Sequence, residues 1–168
     1  MLIPCAAAAL TLGSSMMAFA ATGWLQEDEI WHYYDRNGDE VTSSWKKSGN
    51  DWFWLDEDGE VAVSQLVEDN DNYYYVNESG AMVRNQWREL ENDDPQDDDE
   101  SDTVWYYFGA DGKAYKAKDS GRVNFKTIVR ADGVTKKYAF DEEGKMLYGW
   151  IDEQGERQTG DDAWQTGL

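Results

Sequence analysis

The stretch that decides the fold runs from Gly23-Trp24 through a polar segment to Trp31-His32-Tyr33-Tyr34-Asp35 and closes on Arg36-Asn37-Gly38. It returns along the chain in fixed register. Trp24, Trp45, Leu66 and Trp87 stand 21 residues apart, as do Trp31, Trp52 and Tyr73, and again Gly38, Gly59 and Gly80. Three position classes sharing one period mark an internal repeat, the strongest architectural signal a sequence carries.

The second unit reads Trp52-Phe53-Trp54-Leu55-Asp56 with Gly59, and the third Tyr73-Tyr74-Tyr75-Val76-Asn77 with Gly80. A fourth, Trp105-Tyr106-Tyr107-Phe108 with Gly112, follows an insertion, and a fifth, Lys137-Tyr138-Ala139-Phe140-Asp141 with Gly144, follows a shorter one. From Trp150 to Leu168 the pattern is worn, as expected of a terminal cap. Aromatic runs favour strands, and Asp or Asn followed by Gly three residues on is turn chemistry. Each unit is expected to be a β-hairpin, with Val41, Val61, Met82 or Met146 on a shorter second strand. Polar runs such as Lys46 to Asp51 are then connecting turns. A lone hairpin cannot bury its own rings, whereas hairpins stacked in register cover one another. The expected fold is all-β, a solenoid of stacked hairpins of about 21 residues.

Composition agrees with a folded chain. The formal charge is −20, but nine Trp and ten Tyr supply ring area that disordered acidic segments lack. Residues 1–21 carry no charge and end in Ala18-Phe19-Ala20-Ala21, so they read as a signal peptide, shortened at its start because no Lys or Arg precedes the apolar stretch. That stretch is too short and too rich in small residues to read as a membrane span. Cys5 falls within it, leaving the repeat array over 22–168 without cysteine. The expected destination is extracellular. The insertion 91–103, Glu-Asn-Asp-Asp-Pro-Gln-Asp-Asp-Asp-Glu-Ser-Asp-Thr, lacks the spacing of a calcium loop and reads as a solvated surface loop.

Catalytic chemistry finds few carriers. His32 is the sole histidine and occupies the repeat position filled elsewhere by Phe53, Tyr74 and Tyr106, so it reads as a structural residue. No His or Cys cluster suits zinc, no phosphate-cradling loop precedes a helix, and the negative charge disfavours nucleic acid. No catalytic residue, metal or cofactor is assigned. What remains is aromatic surface. Trp and Tyr faces attract quaternary ammonium groups at roughly 0.5–2 kcal/mol per contact and also stack on sugars. Tyr34, Leu55, Val76, Phe108 and Phe140 fall at alternating positions expected to be core. Trp24, Trp45 and Trp87 hold one fixed phase, where ligand contact and pure packing stay equally open.

The pattern Gly-Trp, polar run, Trp-x-Tyr-Tyr-Asp-x-x-Gly resembles the choline-binding, or cell-wall-binding, repeat of Gram-positive surface proteins, and the related glucan-binding repeats are similar. The likeness runs from Thr22 to about Leu168. It implies ligand cages between consecutive hairpins, built from the Gly-Trp tryptophan and first strand aromatic of one repeat and a third aromatic from the next. Carried over, Trp24 and Trp31 with Trp54 form one cage, and Trp45 and Trp52 with Tyr75 a second. Leu66 weakens a third around Tyr73 and Tyr107. Separation of Trp87 from Trp105 by the acidic insertion, with Ala139 in place of the third aromatic and Phe125 in place of a Trp, weakens a fourth.

The resemblance implies a non-catalytic module held to choline-decorated teichoic acid or a glycan. A structural spacer or self-association scaffold is the alternative, and a homodimer is one form that self-association could take. A wall hydrolase would require a catalytic domain that these repeats do not supply.

Overall fold

The computed structural model describes residues 22–92, 102–119, 122–147, 149–151 and 164–166. Every element among them is a strand: β1 (Gly23–Glu27), β2 (Ile30–Tyr34), β3 (Ser44–Ser48), β4 (Asp51–Leu55), β5 (Gln65–Asp69), β6 (Asn72–Val76), β7 (Gln86–Glu91), β8 (Thr103–Phe108), β9 (Asn124–Val129), β10 (Thr135–Phe140), β11 (Gly149–Ile151) and β12 (Trp164–Thr166). Consecutive strands pair into six two-stranded sheets. The chain is therefore all-β and built of successive antiparallel hairpins. The worn C-terminal stretch also pairs, with Trp150 opposite Gln165 and Ile151 opposite Trp164. Residues 1–21 and the centre of the acidic insertion, 93–101, lie outside the described residues.

The hairpins sit at a different phase of the repeat from the one expected. The Gly-Trp segment is itself the first strand: Trp24 pairs with Tyr33 and Trp45 with Trp54. Of the polar run 46–51, Lys46–Ser48 and Asp51 lie in strands, leaving Gly49 and Asn50 as the connection. Left-handed backbone closes these tips, at Asp28 and Glu29 (φ 47° and 72°) and at Asn70 and Asp71 (φ 49° and 58°). Such two-residue turns match the twist of the strands they join. Val61, Met82 and Met146 form single bridges, to Leu55, Val76 and Phe140, rather than second strands, and in the first repeat the bridge falls at Glu40 instead of Val41. The Asp-x-x-Gly segment is a turn beyond each hairpin. Asp56 Oδ1 accepts the N–H groups of Asp58 (3.0 Å) and Glu60 (2.9 Å), and Asn77 does the same for Ser79 (2.9 Å) and Ala81 (3.0 Å).

Two compact units are formed, one by the described residues up to Val67 with Tyr75–Val83, the other by Glu68–Tyr74 with the residues from Arg84 onward. In the first unit, Val61 N–H donates to the Trp31 carbonyl (2.9 Å) and Met82 N–H to the Trp52 carbonyl (2.8 Å). The second unit uses the same step, Ala114 to Tyr73 (2.8 Å) and Met146 to Trp105 (2.8 Å). One backbone bond per repeat thus hangs each hairpin's trailing segment on the aromatic strand of the hairpin before it.

Alternation along the strands sends one face inward. Leu55 and Val76 in the first unit, and Phe108 and Phe140 in the second, are fully buried, each contributing roughly 1.5–3 kcal/mol of apolar burial. The expected core positions are therefore core from the second repeat onward. Tyr34 is only half-buried, because no described hairpin precedes it. His32 Nδ1 lies 2.7 Å from Glu40 Oε1, with the His32 side chain mostly covered and Glu40 exposed.

Candidate ligand-binding faces

In the first hairpin, pairing of Trp24 with Tyr33 places both on the side of the sheet that also carries Trp31, two residues away. Trp24 meets Tyr33 edge-on, with centroids 5.2 Å apart, and meets Phe53 of the next hairpin at 5.6 Å. Lys46 Nζ lies 5.1 Å from the centre of Tyr33. This face therefore consists of Trp24, Trp31 and Tyr33, with Phe53 closing it from the following repeat.

Trp54, expected on this face, stands elsewhere. It neighbours Phe53 along β4, so it points to the opposite side, where its ring lies 5.2 Å from that of Trp45. Tyr33 and Phe53 are the ring positions that sequence reasoning missed. The signal for Tyr33 was the hairpin register: a turn at Asp28-Glu29 forces Trp24 opposite Tyr33.

The second hairpin repeats the arrangement with three tryptophans, since Trp52 shares a strand face with Trp54 and thus with Trp45. Trp52 is 36% exposed. Tyr75, the expected partner, lies on β6 half-buried, and its carbonyl accepts the Val83 N–H at 2.8 Å.

In the second unit the acidic insertion does not part Trp87 from Trp105. The insertion sits at the hairpin tip, where Glu91 pairs with Thr103 and Asn92 N–H donates to the Asp102 carbonyl (2.9 Å). The two rings come within 6.4 Å. Trp87 also touches Tyr107 (5.1 Å), Tyr138 (4.8 Å) and Phe140 (5.9 Å), joining the core formed by Ile128, Tyr138, Phe140 and Met146. Its surroundings are those of a packing residue. Tyr107 contacts Tyr115 at 5.1 Å, and burial pushes its hydroxyl pKa above the ordinary phenol value. In the fifth hairpin Phe125 faces Ala139, and Lys137 Nζ lies 4.6 Å over the Phe125 ring.

Tyr73 also carries a cation. Lys116 Nζ sits 5.2 Å from its ring centre and 3.0 Å from Asp71 Oδ1. Burial, then the charge of Glu68, push the Tyr73 hydroxyl upward, while Lys116 opposes them. Among the described residues no group of three or more His, Cys, Asp or Glu is placed to hold a metal ion.

A choline-binding repeat model matches residues 41–87, and a cell wall binding repeat model matches 22–39 and 101–114. Among curated proteins none matches the chain. CbpJ from Streptococcus pneumoniae shares 22% identity with a TM-score of 0.50, over 85% of this chain and 42% of its own. Truncated alternansucrase from Leuconostoc mesenteroides shares 20% identity with a TM-score of 0.51, over 75% of this chain and 10% of its own. The choline binding domain of Spr1274 from Streptococcus pneumoniae shares 26% identity with a TM-score of 0.41, over 56% of this chain and 95% of that domain. CbpJ and alternansucrase are likenesses of fold, whereas the sequence matches fall on the hairpins that carry the ring faces. Residues 41–87 thus match a choline-binding repeat, and residues 22–39 and 101–114 a cell wall binding repeat.

Proposed function

We propose that the chain is a non-catalytic attachment module that grips quaternary ammonium groups on a cell-wall polymer. The observation that carries this reading is the partial exposure of Trp31 and Trp52 on faces whose remaining rings are fixed by packing. Rings held in place lose little freedom on binding, and each ammonium contact is worth roughly 0.5–2 kcal/mol depending on desolvation. Single sites of that strength are weak, so retention on a polymer comes from several acting together. The formal charge of −20 favours a cationic head group at every site. A choline-decorated teichoic acid has the required chemistry, and an exported, wall-associated location follows from such a ligand.

The test is retention on a choline-bearing matrix and elution with free choline. Trp31→Ala and Trp52→Ala should each weaken retention, and the pair should abolish it, with far-UV spectra unchanged. Retention of the double variant at the wild-type level would overturn the assignment.

A further inference from the structure

We propose that the chain supplies its own ligand to a further ammonium site: Lys116 occupies the face of Tyr73 and keeps an external alkylammonium from that ring. This rests on the proposed function, because it concerns the same ring chemistry. The repeat makes the comparison direct. Tyr73 is the equivalent of Trp31, and each ring's carbonyl receives the next repeat's step bond, from Ala114 (2.8 Å) and Val61 (2.9 Å) respectively. Two residues beyond the donor stands Lys116 in one step and Val63 in the other. Two residues before the ring, at a left-handed turn position, stands a carboxylate in both: Asp71 (φ 58°) and Glu29 (φ 72°).

The two steps therefore differ in the charge carried at this position. Val63 is 51% exposed and brings no charge to Trp31. Lys116 places its ammonium 5.2 Å over Tyr73, bonds Asp71 at 3.0 Å, and leaves only 19% of its side chain accessible. An ammonium held against a ring and an exposed carboxylate, 91% of whose side chain is accessible, has the partners an external cation would seek. Being tethered, it is present at an effective concentration that a free ligand reaches only in the millimolar range or above. In the first step the chain's own cation lies instead over Tyr33, from Lys46.

The experiment is a titration with choline chloride followed by the ring proton resonances of Trp31 and Tyr73, in the full chain and in two variants. In the wild type Trp31 should respond and Tyr73 should not. Lys116→Met keeps the apolar stem and removes the charge, so Tyr73 should begin to respond saturably, adding one bound choline per chain. Val63→Lys transplants the cation beside Glu29, and the Trp31 response should weaken by about tenfold or more, the equivalent of one good cation–ring contact. A Tyr73 response already present in the wild type, or its absence in K116M while Trp31 responds normally, overturns this inference and leaves the proposed function intact. Silence of both rings in every protein overturns the proposed function and this inference with it. If K116M does not fold, V63K decides alone, and an unaltered Trp31 response there refutes the inference.

Discussion

Asp141→Asn removes a charge that the fifth repeat holds against its own burial. Asp141 Oδ1 accepts the N–H groups of Glu143 (3.0 Å) and Lys145 (2.8 Å), while its carbonyl accepts those of Ala117 (2.7 Å) and Gly144 (3.2 Å). Burial is the largest influence on its carboxyl and, joined by the negative charge of Glu143 and opposed by Lys145, pushes the pKa from 3.8 up to about 6. Asp35 makes the same turn at the exposed start of the array, and there the N–H groups of Asp39 and Asn37 outweigh burial and lower the pKa. The folded value of Asp141 thus exceeds the unfolded one, so the native state binds the extra proton. Its contribution to stability is largest below pH 4 and is lost as pH rises through about 6. Two pKa units at about 1.4 kcal/mol each set an upper bound of about 3 kcal/mol on the cost of the charge at neutral pH. An amide keeps the turn bonds, as Asn77 shows in the third repeat. Asp141→Asn should therefore stabilise the protein at pH 7 by about 1–3 kcal/mol, a gain that shrinks towards zero near pH 4. Urea melts of both proteins at pH 7, 5.5 and 4 measure it. Destabilisation at pH 7, or a difference independent of pH, would refute the reasoning.

Other substitutions probe the stack and its surface. Leu55→Ala empties a fully buried position and should cost about 2–5 kcal/mol in a urea melt. Gly80→Ala forces a side chain into left-handed backbone (φ 77°) with its Cβ 2.6 Å from Val61 Cγ1, and should cost about 2 kcal/mol or more. Gly49→Asn, at φ 62° with nothing within 4 Å, should stay within about 1 kcal/mol of wild type by the same measurement. Attachment to an anionic choline-bearing polymer should strengthen as salt is raised towards 0.1 M, because screening over a Debye length of about 10 Å relieves repulsion by the acidic chain. Retention assays across that range read the effect.

The period was legible because each repeat spends its apolar residues on the same few positions, so Trp24, Trp45 and Trp87 announce the unit without any structure. The phase of the hairpin was not. Lys46, Lys47, Gln65 and Glu68 look like turn residues, yet strands in two-stranded sheets are half-exposed and tolerate them. Both the hairpin tip and the Asp-x-x-Gly segment carry turn chemistry, and only the pairing shows which of them joins two full strands. The first candidate face was half legible: Trp24 and Trp31 share it, but Phe53 replaces Trp54, because neighbouring strand residues point to opposite sides. Tyr138 was equally hidden, since its contact with Trp87 depends on which face the fifth hairpin presents. Lys116 meets Asp71 across 45 residues, a separation at which no local pattern reports contact.

Thermal melts with millimolar choline chloride, against sodium chloride at equal concentration, test the binding of cations by these ring faces most directly. A ligand that binds only the folded chain must raise the midpoint by mass action. Choline should produce a saturable rise that sodium does not reproduce and that Trp31→Ala with Trp52→Ala removes. Identical midpoints in the two salts would contradict it.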